Sequence, residues 1–300
     1  MITIKEQRGR RIKKWFSQFK NPFTVIAAII LVVYSATLIY AIFWGLVTSL
    51  KSRTDFAMNL FGFPKKLMFS NYITAFNKLF LTVNYKKIYM PQLLLNSVIF
   101  AGGQSVITVF STAMCAYVCN KYKCRVTKLM YSVVIVMMIL PIVSSLGASI
   151  QFHKTLGIYD NLLGIFWTCI GFNTGNFLVS YAMFTAISWT YAEAAFMDGA
   201  THWGVMIKIM FPLVSVPISI LLVLAFVGNW NNYMTPLIYL PSFPTLAVAL
   251  YQFQWLTEPE ISSTPIQMAA AMVVCFPCIV VFLAMKDKMV GNLTMGGIKG

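Results

Sequence analysis

Within the stretch Tyr191 to Leu213, YAEAAFMDGATHWGVMIKIMFPL, an otherwise oily chain places Glu193, Asp198 and His202 close together. Asp198 and His202 are four residues apart, a separation that would set two metal ligands on one helical face, so metal binding is the first chemistry to weigh. The ligand count is too small for it: the sequence has two histidines, His153 belongs to a different part of the chain, and Gly199 interrupts the helix that would align the pair. No metal site is expected, and Asp198 is read as a local cap or turn acceptor. Cys275 and Cys278 form a CxxC pair, but they sit among Val-Val, Phe-Pro and Ile-Val with no second ligand pair, so they read as core residues of a helix. Five of the six cysteines lie in or at the edge of apolar runs, and no disulfide is expected. No GxxxxGK[ST] phosphate loop occurs and no acid, base and nucleophile cluster, so the chain is read as a non-enzyme without a cofactor of its own. What remains is hydrogen-bonding chemistry. Gly228, Asn229, Trp230, Asn231 and Asn232 form a polar cluster inside an apolar stretch, and Gly171, Asn173, Gly175 and Asn176 form a second.

Composition sets the elements that must position these residues. Hydrophobic residues are 59% of 300, charged residues 10%, and mean hydropathy is +0.74. An average soluble domain has roughly 45 to 50% apolar and 25% charged residues, so this chain belongs in a bilayer. Six apolar stretches, 23–47, 93–118, 129–150, 162–189, 213–240 and 265–285, are long enough to cross one. The expected fold is an all-α membrane protein of six transmembrane helices. Every Asp, Glu, Lys and Arg lies outside these stretches, which leaves no ionisable group for a proton relay and argues against an ion-driven transporter or a membrane-embedded enzyme. The net charge of +15 comes from short basic clusters between apolar runs with no recognition motif, so nucleic acid is excluded as a partner. Charge instead orients the chain. With both termini cytoplasmic, 15 Lys and Arg lie inside and 8 outside, as the positive-inside rule favours. The outside segment 48–92 contains FPKKLMFSNYITAFNKLF, read as holding a short surface helix. The first apolar stretch is too long for a secretory h-region and lacks a cleavage site, so it reads as an uncleaved anchor. In the tail before it, Ile12, Trp15, Phe16 and Phe19 share a helical face ringed by Arg10, Arg11, Lys13, Lys14 and Lys20. This pattern fits either a helix lying on anionic membrane lipids or a disordered basic tail.

The same orientation leaves 190–212 in the cytoplasm. Ala192, Glu193, Ala194 and Ala195 favour helix, Gly199 turns without steric cost, and Trp203, Ile207 and Met210 recur at helical spacing on one face. Two short helices with a bend are predicted. Pro212 then stands at the entrance of the fifth span, where a first-turn proline costs little. Amides within a bilayer must face other spans, water or a polar ligand. For Asn229, Asn231 and Asn232, with Trp230 among them, contact with a passing sugar and packing between helices fit equally well.

Glu193-Ala194-Ala195, three residues, Gly199, nine residues, then Ile209 and Pro212 resemble the signature loop of permease subunits of bacterial ABC importers, with Phe211 in the place of a leucine. The longer strings EAAFMDGATHWGVMIKIMFPLVSVPI and NWNNYMTPLIYL, and the ending GNLTMGGIKG, resemble the carbohydrate-import branch, the smaller permease of maltose-type and oligosaccharide transporters. The resemblance implies a type I importer bundle: tail 1–22, six-span permease domain 23–285 with coupling loop 190–212, and cytoplasmic tail 286–300. It implies a homologous second permease, cytoplasmic ABC ATPase subunits that carry the ATP and magnesium, an extracytoplasmic sugar-binding protein and a carbohydrate substrate, an oligosaccharide by the same strings, with a non-sugar solute such as an amino acid or osmolyte as the alternative. Glu193, Ala194, Ala195, Asp198, Gly199, Ile209 and Pro212 would engage the ATPase, with Glu193 paired to a basic residue and the alanines allowing close approach. Asn176, Asn229, Trp230, Asn231 and Asn232 are candidates for the substrate path. Tyr251, Gln252, Phe253 and Gln254 are the candidate tip of a finger toward the binding protein, or else Tyr251, Phe253 and Trp255 form an interfacial aromatic belt. Gly296, Gly297, Ile298 and Gly300 would touch the ATPase, or form only a loose end.

Overall fold

Backbone in a bilayer must satisfy its own hydrogen bonds, and the chain answers with helix almost throughout. The computed structural model describes residues 22–140, 146–171, 174–256 and 261–291. The readings of the N-terminal tail, of Asn173 and of Gly296, Gly297, Ile298 and Gly300 lie outside the described residues. Two compact units emerge, one from Met1–Tyr72 with Ser263–Met272, the other from Ile73–Ser262 with Val273–Gly300.

In the first unit, α1 (Pro22–Ser49) is bare along most of its length and buries only Gly45, Val47, Thr48 and Ser49. Gly45 permits a close approach to the start of α14 (Thr264–Gly291), because a Cβ there would fall 2.9 Å from the Met272 Cε. After α1 the chain turns through the short α2 (Arg53–Met58) and returns, with the Met68 N–H donating to Leu50 O at 2.9 Å. Asn71 ties the base of this loop by donating to the carbonyls of Ser49 and Lys51, both at 2.8 Å.

Next comes α3 (Ser70–Lys78), the surface helix expected in 48–92. A hairpin that the sequence did not announce follows it, β1 (Phe80–Val83) paired antiparallel with β2 (Lys86–Tyr89), Phe80 opposite Tyr89. Asn84 and Tyr85 turn it with φ of +49° and +63°, the paired positive angles that a two-residue hairpin loop needs.

The second unit is organised around α4 (Met90–Lys121), against which α8 (Thr174–Thr185) and α11 (Ser215–Trp230) pack. Val109, Ala113 and Tyr117 of α4 meet Phe184, Val205, Met206, Met210 and Ile218 in one buried cluster. Gly103 lets α7 (Leu162–Thr168) come close, since a Cβ there would lie 2.5 Å from Phe166.

The expected all-helical build is present, but several of the six apolar stretches are broken rather than continuous. Among the described residues three helices are long and apolar enough to cross a membrane, Pro22–Ser49, Met90–Lys121 and Thr264–Lys286. A fourth crossing is counted if His202–Leu213 (α10) and α11, bent by 78°, form one broken span. The stretch 129–150 divides into α5 (Arg125–Ile139) and α6 (Leu146–Thr155). Leu140 is extended at ψ 117°, as a residue before proline must be, and Pro141 follows it. The stretch 162–189 divides into α7 and α8 near Gly171, whose φ of +135° no helix contains. In 213–240 the chain turns at Val214, then forms α11 and α12 (Met234–Tyr239). Pro217 explains that turn: a continuous helix would need its missing N–H and would press its ring on the carbonyl of residue 213.

Candidate functional site

The elbow at 190–213 is built as two helices and a bend, as the sequence predicts. α9 (Thr190–Met197) ends in a glycine-based cap: Gly199, at φ +80°, donates to Phe196 O at 3.0 Å and Ala200 donates to Ala195 O at 2.9 Å. These are the two bonds of a Schellman motif, which satisfy carbonyls at the helix end. Thr201 then caps α10 by accepting the Gly204 N–H at 3.2 Å.

The caps assign a face to each residue. Ala192 and Ala195 turn inward on the cluster with Val109 and Met210, while Glu193, Ala194 and Asp198 are exposed. Ala195 therefore packs closely against the chain's own core. Asp198 caps α9 with its backbone only, donating to Ala194 O at 3.1 Å, and the turn acceptor is Thr201 instead. His202 is held structurally: its Nδ1 and the Tyr122 hydroxyl are hydrogen-bonded at 2.8 Å, and its ring meets Phe196 with centroids 4.8 Å apart. Lys121 fastens the entry to the elbow by donating to Ile187 O at 2.6 Å.

α10 departs from the expected pattern. Its middle, Met206–Met210, is a π turn closed by the Phe211 N–H on Met206 O. That wider turn rotates the apolar face, so Val205, Met206 and Met210 are buried while Trp203 and Ile207 are exposed. Ile209 is half-buried, and Pro212 lies exposed within α10 rather than at the entrance of the next helix. Tyr191, Ala194, Ala195, Asp198 and Ile209 line a shallow outward concavity.

A second site lies in the bundle. A cleft of about 430 Å³ is lined by Gln104 and Thr108 of α4, Thr168, Gly171, Asn176 of α8 and Asn229 of α11. Asn229 donates to Ser105 Oγ at 2.9 Å, which fixes its amide at the rim. Gln104 is nine-tenths buried and its Oε1 has no hydrogen-bond partner, an acceptor waiting for a donor. The cleft is uncharged and polar, suited to hydroxyl groups.

Only Asn176 and Asn229 of the expected path residues reach it. Trp230 is buried and donates its indole N–H to Val274 O at 3.1 Å, so its ring is packed and unavailable for stacking on a sugar. Asn231 is exposed and donates back to Val227 O at 2.9 Å. Asn232 caps α12, exchanging bonds with Thr235 at 2.9 and 3.0 Å. The sequence reading missed Gln104 and Thr108, although two polar side chains four apart in an apolar helix were the signal.

The proposed finger is also redistributed. α13 (Leu246–Phe253) buries Phe253, which removes it from both the finger tip and the aromatic belt. Tyr251 stacks on Tyr233 at 4.4 Å, and Gln252 and Gln254 are exposed.

With this geometry in view, the chain is 25% identical over 291 residues to the arabinooligosaccharides transport system permease protein of Bacillus subtilis, covering 95% of this chain and 98% of that one. It is 24% identical over 287 residues to the diacetylchitobiose uptake system permease protein of Streptomyces coelicolor, covering 91% and 88%. Its fold is similar, at a TM-score of 0.73 and 20% identity over 88% of this chain and 95% of the other, to a chain in the crystal structure of a bacterial ABC transporter involved in the import of the acidic polysaccharide alginate. The family described as binding-protein-dependent transport system inner membrane component matches residues 88–288, a span that takes in both the elbow and the polar cleft, and the chain belongs to that family.

Proposed function

We propose that this chain is the membrane-spanning permease subunit of an ATP-driven importer for an oligosaccharide, with both termini cytoplasmic and the elbow docked on a cytoplasmic ATPase. The observation that carries this reading is the elbow itself: Glu193, Ala194 and Asp198 exposed on a capped helix whose opposite face is locked into the bundle core. A load on that exposed face is passed to α4 and α8 through Ala192 and Ala195 rather than absorbed by a loose linker. ATP and magnesium would be held by the ATPase, whose closure favours one of two bundle states through differential affinity. A homologous second permease would complete the path, and an extracytoplasmic binding protein would deliver the sugar near the exposed Gln252 and Gln254. Inside the bundle, the neutral amides of Gln104, Asn176 and Asn229 would exchange hydrogen bonds with sugar hydroxyls. The names of the two relatives favour a carbohydrate over an amino acid or osmolyte.

Glu193→Ala tests the docking role. Truncating one partner of a desolvated charge pair costs about 2 to 5 kcal/mol of affinity. The expected outcome is loss of ATPase association and of sugar uptake with normal membrane insertion. A purified Glu193→Ala complex that retains full sugar-stimulated ATP hydrolysis would overturn the assignment.

A further inference from the structure

Between α6 and α7 the chain turns at Asp160, which holds a φ of +55°. Aspartate tolerates that left-handed angle better than most side chains do, but at a cost that other contacts must offset. Two bonds to one distant segment do so: the Asp160 N–H donates to Tyr239 O at 2.8 Å, and its Oδ1 accepts the Ser242 N–H at 2.8 Å. Asp160 thus grips both ends of the turn that follows α12.

The same turn is held from other sides. The Tyr239 hydroxyl and Ser149 Oγ of α6 are hydrogen-bonded at 2.8 Å, and the His153 and Tyr239 rings have centroids 4.5 Å apart. Leu240 is buried with Phe100 of α4 and Ile165 of α7. Just beyond, Asn96 donates to Pro244 O at 2.9 Å and Ser97 Oγ accepts the Leu246 N–H at 2.7 Å. Every one of these contacts lies within the chain, so the joint is complete whatever a partner subunit covers.

Its two ends lead to different places. On one side α13 begins at Leu246 and carries Gln252, where the binding protein is proposed to deliver sugar. On the other, α7 runs from the joint to Thr168 and then Gly171 in the wall of the polar cleft. Gly171 is fastened there in turn, its carbonyl accepting from Thr112 at 2.9 Å and its N–H donating to Ser111 Oγ at 3.3 Å. A short helix fixed at both ends acts as a strut.

We propose that Asp160 is a positioning residue that makes the turn after α12 and the strut α7 one body, so that a sugar-loaded binding protein engaging α13 shifts the Thr168 to Gly171 wall of the cleft. This inference rests on the importer reading above. The test uses the assembled importer, reconstituted with its second permease, ATPase and binding protein. Asp160→Gly keeps the left-handed backbone without strain and removes only the acceptor for Ser242. The expected result is unchanged basal ATP hydrolysis and a loss of about fivefold in its stimulation by loaded binding protein. Asp160→Asn still accepts through its Oδ1 and tolerates the same angle, so it is expected to keep most of the stimulation. Basal and stimulated hydrolysis falling together, or neither changing, overturns the proposal. A second variant, Asp160→Cys with Ser242→Cys, oxidised and mapped for the disulfide, reads the same joint independently. Segments that move as one body tolerate the bond, with uptake at the parent level; uptake blocked by the bond and restored on reduction would show that they must part. A parent complex that loaded binding protein fails to stimulate would remove the importer reading itself, and the inference with it.

Discussion

Gln104 Oε1 sits in the polar cleft with nothing to accept from, and a buried acceptor of this kind costs free energy until a donor arrives. Gln104→Leu is expected to weaken sugar handling by about 1 kcal/mol, roughly a fivefold rise in the KM for uptake, with assembly unchanged. Asn231→Ala should leave uptake near normal, because that amide only bonds back to Val227. Sugar uptake by cells producing each variant distinguishes the two. The sequence shows Asn229, Trp230, Asn231 and Asn232 as one cluster, but a helix turns about 100° per residue, so adjacent side chains cannot share a target. Which of them faces the cleft depends on Ser105 and Val274, which are distant in the chain and leave no local pattern.

At the scale of elements, the elbow was the most legible part of the molecule. Glycine after a run of helix formers predicts a cap, and Gly199 is that cap with φ +80°. A Cβ at Gly199 would meet nothing within 4 Å, so the cost of substitution is conformational alone. Gly199→Ala is expected to destabilise the elbow by about 1 kcal/mol, Gly199→Val by more and Gly199→Asn by less. Thermal unfolding of the purified variants gives the order, and coupling of ATP hydrolysis to uptake should decline in the same order. The π turn was not legible, because Trp203, Ile207 and Met210 fit an ordinary helical period and only the packed structure shows the extra residue per turn. The broken spans follow from Pro141, Gly171 and Pro217, which a hydropathy window averages away.

For the whole molecule, charge distribution predicts which end faces the cytoplasm, and Cys124 offers a direct measurement. It precedes α5, is exposed, and accepts the backbone N–H of Thr127, which with the Thr127 side chain holds its thiol below the usual thiol range. A lowered value means more thiolate at any given pH above it, so reactivity is retained in neutral solution and falls only as the pH drops through the lowered value. A membrane-impermeant maleimide at neutral pH is expected to label Cys124 before the other five cysteines, which are at least half-buried. Labelling in inside-out vesicles but not in intact cells would agree with cytoplasmic termini; the reverse would invert the topology and remove the elbow from reach of any ATPase. The apolar stretches were legible only as length, since composition records how much chain is greasy and not where it breaks.

The junction at Val214 joins two helical segments at 78°. Like the arm and shaft of a crank, such a pair turns a sideways push on the arm into torque about the shaft. Asn229 stands near the far end of that shaft, about 20 Å along α11 from Ser215. A small roll there would sweep its amide along the cleft wall and leave the length of the shaft unchanged.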